Sequence, residues 1–265
     1  MRFALMASWL VALLLAVISI GGLASDAYAR ETSAWAAQGI GQDWFDLLIA
    51  APWLALCGYL ARTGSWRWRV LLAGGFAYTM YELVIYTFGV HFNALFLVYC
   101  ATLGLAAFAF IALVAELRRT TPRIARRNAH LGGAFLVGLA TIFAALWLAE
   151  DVPAVIRNAP SPTLAVTGLF TNPVHVIDLS FVLPAHIVVG LLLWRRRPTG
   201  ELFAPILLAF GVLMAASIGG MMLVIGDAVP VVIIMFVIAA ATAAVLARVL
   251  PASGIVPAHR AFVGG

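Results

Sequence analysis

The chain has 265 residues, of which 64% are hydrophobic and 10% charged, with a mean hydropathy of +1.06 and a formal net charge of +5. A soluble domain of this length cannot hide that much apolar surface, so the composition excludes a water-soluble globular protein and points to a bilayer. The basic balance, which in a soluble chain would suggest nucleic acid, here reads as retention charge and contact with anionic lipid heads; no nucleic-acid partner is expected.

A bilayer core about 30 Å thick takes about 20 apolar residues per helix. Spans are predicted near residues 3–23, 44–61, 70–89, 94–114, 131–148, 176–194, 202–224 and 231–250. The runs are too long for strands, and backbone in lipid must satisfy its own hydrogen bonds, which leaves helices. The expected fold is all-α, a polytopic transmembrane helical bundle of eight spans, forming a single integral membrane domain over residues 1–265. The first run is also signal-like, with Arg2 before it and Ala27-Tyr28-Ala29 after it. Its bilayer length favours a retained helix; cleavage would leave seven spans.

Arginine sits in alternate gaps. Arg62, Arg67 and Arg69 follow the second span, Arg118, Arg119, Arg123, Arg126 and Arg127 the fourth, and Arg195, Arg196 and Arg197 the sixth. Arg2, Arg248 and Arg260 lie at the ends, and only Arg30 and Arg157 fall in the other gaps, with acids such as Asp26, Glu31, Glu150 and Asp151. The positive-inside rule therefore places both termini and the arginine loops in the cytoplasm, in a multi-pass protein of the cell (inner) membrane. Trp35, Trp44 and Trp147 fall at the outer edge and Trp66, Trp68 and Trp194 at the inner edge, as an aromatic belt does. The outer segment 150–175, with four prolines, is expected to be an irregular cap or re-entrant loop, and the tail 251–265 to be mobile.

Several chemistries are excluded or disfavoured. All 16 basic residues are arginine, so there is no lysine for a retinal Schiff base. Cys57 and Cys100 are the only cysteines. Their estimated depths, about 20 Å and about 9 Å from the outer face by helix rise, are too different for a disulfide, and a CxxC motif is absent. No Walker or dinucleotide motif appears. Only His186 is deep in a span, with no histidine partner for haem at its depth.

Each helix that descends from the outer face begins at a capping residue: Asp43, Asn93, Asn172 and Asp227, with Pro173 as a first-turn proline. Capping suffices to explain those four. Other polar residues exceed it. His175 and Asp178 lie three apart on one face of span six, and His186 returns to nearly the same face beside Pro184. Tyr78, Glu82 and Tyr86 form an i+4 stripe on span three, with Tyr81 adjacent. Asp46, Tyr99 and the turn residue His91 fall at similar depth. Asp46, Glu82, Tyr86, Tyr99, His175 and Asp178 are expected to share one layer in the outer third, because ionisable groups in a membrane face a bundle interior or a wet cavity. The alternative is that they only hold helices together through hydrogen bonds. Gly74-Gly75, Gly132-Gly133 and Gly219-Gly220 read as close-packing sites.

An outer turn with His and Asn opens both span four (His91-Phe92-Asn93) and span six (Asn172-Pro173-Val174-His175), a faint sign of duplication about an axis along the membrane normal. The leading functional expectation is a protein that binds or transports a small solute or ion at a polar site open to the outer face, built from Asp46, Glu82, Tyr86, His91, Tyr99, His175, Asp178 and His186, with Pro52 and Pro184 as gating kinks. The alternative is a membrane-embedded metal-dependent enzyme with zinc or iron held by His91, His175, Asp178 and Glu82, although no HExxH-type motif is present. A third reading is a structural or sensory subunit. Lipid and a small molecule or ion are the expected partners.

Overall fold

The computed structural model describes residues 2–226 and 229–250. They form helices with no strand among the described residues, and eight helical runs are long and apolar enough to cross a membrane. Asp227, expected as the cap of the last span, lies outside the described residues, as do Arg260 and the tail.

The first span is α1 (Arg2–Ala24). The second is composite: α2 (Ser33–Phe45), a wide π turn at Asp46–Ala50, then α3 (Ala51–Ala61). Spans three to five are α4 (Trp66–Gly89), α5 (Phe96–Leu117) and α6 (Arg126–Arg157), followed by a short helix α7 (Pro162–Thr167). The sixth span repeats the composite form: α8 (Pro173–Ile177), a π turn at Asp178–Val182, then α9 (Leu183–Trp194). The last two are α10 (Pro198–Ile225) and α11 (Val229–Val249).

Two sequence expectations need correction. The second span starts at Ser33, not near residue 44, because Thr32 caps it by accepting from the Trp35 backbone N–H. Gln38, Gln42 and Asp43 lower the local hydropathy but sit inside the helix, where Asp43 is fully buried and caps nothing. The segment 150–175 is likewise not irregular: α6 continues through Pro153 to Arg157, and Ser161 caps α7. Pro153 removes one backbone hydrogen bond near the helix end, where its loss is tolerated. Asn172 does cap span six, its Oδ1 accepting from the Val174 and His175 backbone N–H groups. Asn93 accepts from the Leu95 N–H just ahead of α5.

The two composite spans follow one rule. Each π turn starts at an aspartate, Asp46 or Asp178, whose carbonyl accepts from the N–H five residues on, and a proline, Pro52 or Pro184, stands at the second position of the next helix. Proline offers no N–H and crowds the carbonyl four residues back, so the backbone widens by one residue just before it. Both spans run from the arginine-poor to the arginine-rich end. The internal correspondence is therefore between spans two and six, a firmer match than the His and Asn turns that open spans four and six.

α4 and α10 cross at the centre of the bundle. Gly74 makes this crossing possible: a Cβ there would meet the Ala209 Cβ at 2.5 Å. Gly133 does the same between α6 and α9, where a Cβ would meet the Gly190 carbonyl oxygen at 2.6 Å. α1 packs on α3 and α5 through Ala4, Val11, Leu15 and Ile18, all buried. At the arginine-rich end, buried Glu201 at the start of α10 accepts from Arg123 at 3.1 Å and from the Ile124 N–H at 3.4 Å, tying the loop before α6 to the bundle. Cys57 and Cys100 are both free thiols, one buried and one exposed.

Two measurements check this architecture. In a Cys57→Ser, Cys100→Ser background, Ala159→Cys should react with a membrane-impermeant maleimide in intact cells, and Ala125→Cys only after permeabilisation; the reverse pattern would invert the topology. Gly133→Val should lower the melting temperature in detergent, at a cost of about 1–3 kcal/mol, whereas Gly104→Ala, with open space around its Cβ, should not destabilise.

Candidate functional site

The polar side chains of spans two, three, five, six and seven converge in three connected groups at the arginine-poor half. The first surrounds Asp43. The Tyr28 hydroxyl, from the loop between α1 and α2, donates to Asp43 Oδ2 at 2.6 Å, and the Tyr86 hydroxyl from α4 donates to Oδ1 at 2.9 Å. Gly22 of α1 leaves the room for this carboxylate, since a Cβ there would collide with Asp43 Oδ2. Tyr99 packs edge-on against Tyr86, ring centroids 5.4 Å apart, and its hydroxyl accepts from Asn93 Nδ2 at 3.4 Å. Burial, then the neighbouring Asp43 carboxylate, raises the Tyr28 phenol above its ordinary range, so it remains a donor.

The second group is built on Asp46, the first residue of the π turn. The Tyr78 hydroxyl donates to Asp46 Oδ1 at 2.7 Å, and Gln42 Nε2 donates to the same oxygen at 2.9 Å and to Glu82 Oε2 at 3.3 Å. Gln42 Oε1 in turn accepts from the Ser217 hydroxyl of α10 at 2.7 Å. The carboxyl groups of Asp46 and Glu82 are close neighbours, both near Gln42 Nε2. Glu82 Oε1 is buried with no hydrogen-bond partner among the described residues.

The third group lies across the bundle. Trp147 of α6 donates its indole N–H to Asp178 Oδ2 at 2.8 Å and stacks on His175, centroids 4.4 Å apart. His175 Nδ1 lies 3.0 Å from both carboxylate oxygens of Asp151. Tyr81 of α4 is a near neighbour of Asp178 on the same wall. His175 and Asp178 are thus joined through Trp147 rather than directly. Deeper, His186 donates from Nδ1 to the Val182 carbonyl at 2.7 Å, a bond within its own helix, and its ring faces Phe210 at 6.0 Å.

Between these groups is a cavity of about 400 Å³. It begins beside Glu150 and Asn172, passes Glu82 and Asp178, and continues to His186, about 20 Å along the sixth span from Pro173. Its wall is largely apolar and soft, with Phe143, Trp147, Phe210, Met214, Met221 and Met222 among its members. No arginine is among the described residues that line it.

Of the residues expected at a site, Glu82, Tyr86, His175, Asp178 and His186 line this cavity, with Asp46 and Tyr99 immediately behind Glu82 and Tyr86. His91 does not join them. It lies in a surface recess at the arginine-poor end, where both its backbone N–H, at 2.7 Å, and its Nδ1, at 3.0 Å, meet Glu31 Oε1. The set His91, His175, Asp178 and Glu82 is therefore not gathered, and no group of three or more His, Cys, Asp or Glu is placed to hold a metal among the described residues. Trp35 and Trp147 also depart from expectation: instead of forming a headgroup belt they turn inward, Trp35 donating to the Gly89 carbonyl at 2.7 Å. Tyr28, Gln42, Trp147, Asp151 and Ser217 were not singled out as site residues. The recurrence of aspartate six residues before proline in spans two and six was the one sequence signal that marks where the π turns fall.

The fold and this site define a polytopic helical membrane protein with a largely apolar cavity that carries a few buried polar groups. No family model, curated protein or solved structure matches the chain.

Tyr28 provides a pH test. A phenol held protonated by folding contributes stability that is complete below its ordinary value of 10.0 and is lost as pH rises above it. Tyr28→Phe should cost about 1 kcal/mol at neutral pH and make the alkaline loss of thermal stability shallower than in the wild type. An unchanged alkaline limb would remove Tyr28 from that role.

Proposed function

We propose that the protein binds a small solute or ion from the arginine-poor side of the membrane and passes it toward the bilayer interior, as a transporter or solute-binding membrane protein. The observation that carries this reading is the continuity of one cavity from Glu150 past Asp178 to His186. A bundle whose polar layer served only as interhelical glue would pair its polar groups and fill the space between them. Here the space is open, and among the described residues the buried Glu82 Oε1 has no partner. Intramembrane carboxyl groups that face a cavity mark solute or proton paths. The π turn of span six, followed by proline, brings a backbone discontinuity to the wall of the cavity at Asp178 and Val182, and helices of transporters bend or unwind at such places. With the positive-inside orientation, the cavity opens away from the cytoplasm, in the cell (inner) membrane.

Nothing in the geometry favours the metal-dependent enzyme, because its ligand set is not gathered.

Access from water tests the proposal. In the Cys57→Ser, Cys100→Ser background, Gln38→Cys near the mouth and Met214→Cys, about 17 Å from the end of α10 by helix rise, should both react in intact cells with a small membrane-impermeant methanethiosulfonate. Reaction at position 38 alone would close the path above the membrane middle and leave only a shallow binding site. Reaction at neither would sink the outward-open cavity.

A further inference from the structure

We propose that the ligand of this cavity is an amphipathic organic cation, an amine carrying an apolar or aromatic body, and that Glu82 Oε1 receives its charged head. This rests on the reading of the cavity as a solute site and names the class of solute.

Three observations converge. First, Glu82 is only 3% exposed, lines the cavity, and has one oxygen served by Gln42 and the other by nothing among the described residues. A buried carboxylate oxygen without a donor is costly in a bilayer, and a ligand N–H supplies the donor. Second, the charge of the wall is one-sided. Glu82, Asp178 and Glu150 line the cavity and Asp46 stands directly behind Glu82, yet no arginine is among the described lining residues. His186 commits its Nδ1 to the Val182 carbonyl, and His175 is engaged by Asp151. The described wall therefore offers no guanidinium to balance Glu82, and an anionic ligand would find no arginine to pair with.

Third, the remaining wall suits an organic body. Tyr81, Tyr86, Trp147 and Phe210 offer aromatic rings, which attract a desolvated cation, and Met214 and Met221 offer deformable thioethers. An inorganic cation would need several ligands closing on one point, and no group of three or more His, Cys, Asp or Glu so placed occurs among the described residues. The volume of about 400 Å³ lies in the range of pockets for small organic molecules.

The test uses the full-length protein in lipid nanodiscs and three probes that share one body: phenylbutylamine, phenylbutanol and phenylbutyrate, titrated calorimetrically. The amine should bind at least about tenfold more tightly than the alcohol, and the carboxylate more weakly than either. Glu82→Gln should bring the amine down to the affinity of the alcohol and leave the alcohol unchanged. Should Glu82→Gln fail to fold, Glu82→Asp, which withdraws the charge by one methylene, should weaken the amine selectively. Alcohol or carboxylate binding as tight as the amine would overturn the cationic class while leaving the cavity as a solute site. An amine preference that survives Glu82→Gln but is lost in Asp178→Asn would overturn the assignment to Glu82. Absence of binding by all three, with Met214→Trp no different from wild type, would overturn the class and the solute site together.

Discussion

Carboxyl groups buried in a bilayer bundle must find donors inside the protein, and in its arginine-poor half this chain supplies them from phenols, an indole and an amide rather than from arginine. Asp43 is held by Tyr28 and Tyr86, Asp46 by Tyr78 and Gln42, and Asp178 by Trp147. Apart from the Gln42–Asp46 bond, which lies within the second span, these bonds join different helices or join a loop to a helix, so the donors determine which helix faces meet. Tyr28 brings the first loop over the bundle, Gly22 opens α1 to admit Asp43, and the stripe of Tyr78, Glu82 and Tyr86 fixes the rotation of α4 about its axis. Interhelical hydrogen bonds in bilayers average only about 0.6 kcal/mol, so these contacts contribute register more than bulk stability. The stability comes from close packing such as the α4–α10 crossing at Gly74.

The aspartates at 46 and 178 also place the backbone irregularities. Each opens a π turn six residues before a proline. The extra residue relieves the clash that proline would otherwise impose on the preceding turn, and it turns the aspartate side chain toward the centre of the bundle. The same device recurs on two spans that run in the same direction. Its two copies are used differently. Asp46 is shielded by Tyr78 and lies behind Glu82, whereas Asp178 reaches the cavity itself. This asymmetry leaves one half of the cavity wall with a carboxyl oxygen that has no partner among the described residues and the other with a satisfied indole–carboxylate pair.

Much of the site was legible in the residues. The i+4 stripe on span three and the His175/Asp178 pair on span six do face the interior, as expected of ionisable groups in a bilayer. What sequence reasoning lost, it lost for local reasons. Polar Gln38, Gln42 and Asp43 look like the approach to a helix, and only the Thr32 cap shows that they are inside one. Trp147 has the residue type and position of a headgroup anchor, and its role depends on the Asp178 carboxylate of another helix. His91 shares depth with the other candidates but sits on the wrong side of the α4–α5 turn, paired with Glu31.

Hydropathy run lengths and the alternation of arginine determined, without any tertiary information, that the chain forms an all-α membrane bundle of eight spans, because both follow from the thickness and polarity of the bilayer rather than from which helices touch. The absence of lysine and of a cysteine motif was equally plain. Which polar groups meet was decided only by the tertiary structure. Depth along a helix is set by rise per residue and can be counted, whereas the rotation of each helix and the identity of its neighbour depend on close contacts such as Gly74 with Ala209 and Gly133 with Gly190. Those contacts turn Trp147 inward, keep His91 out, and leave the space beside Glu82 in which a ligand can sit.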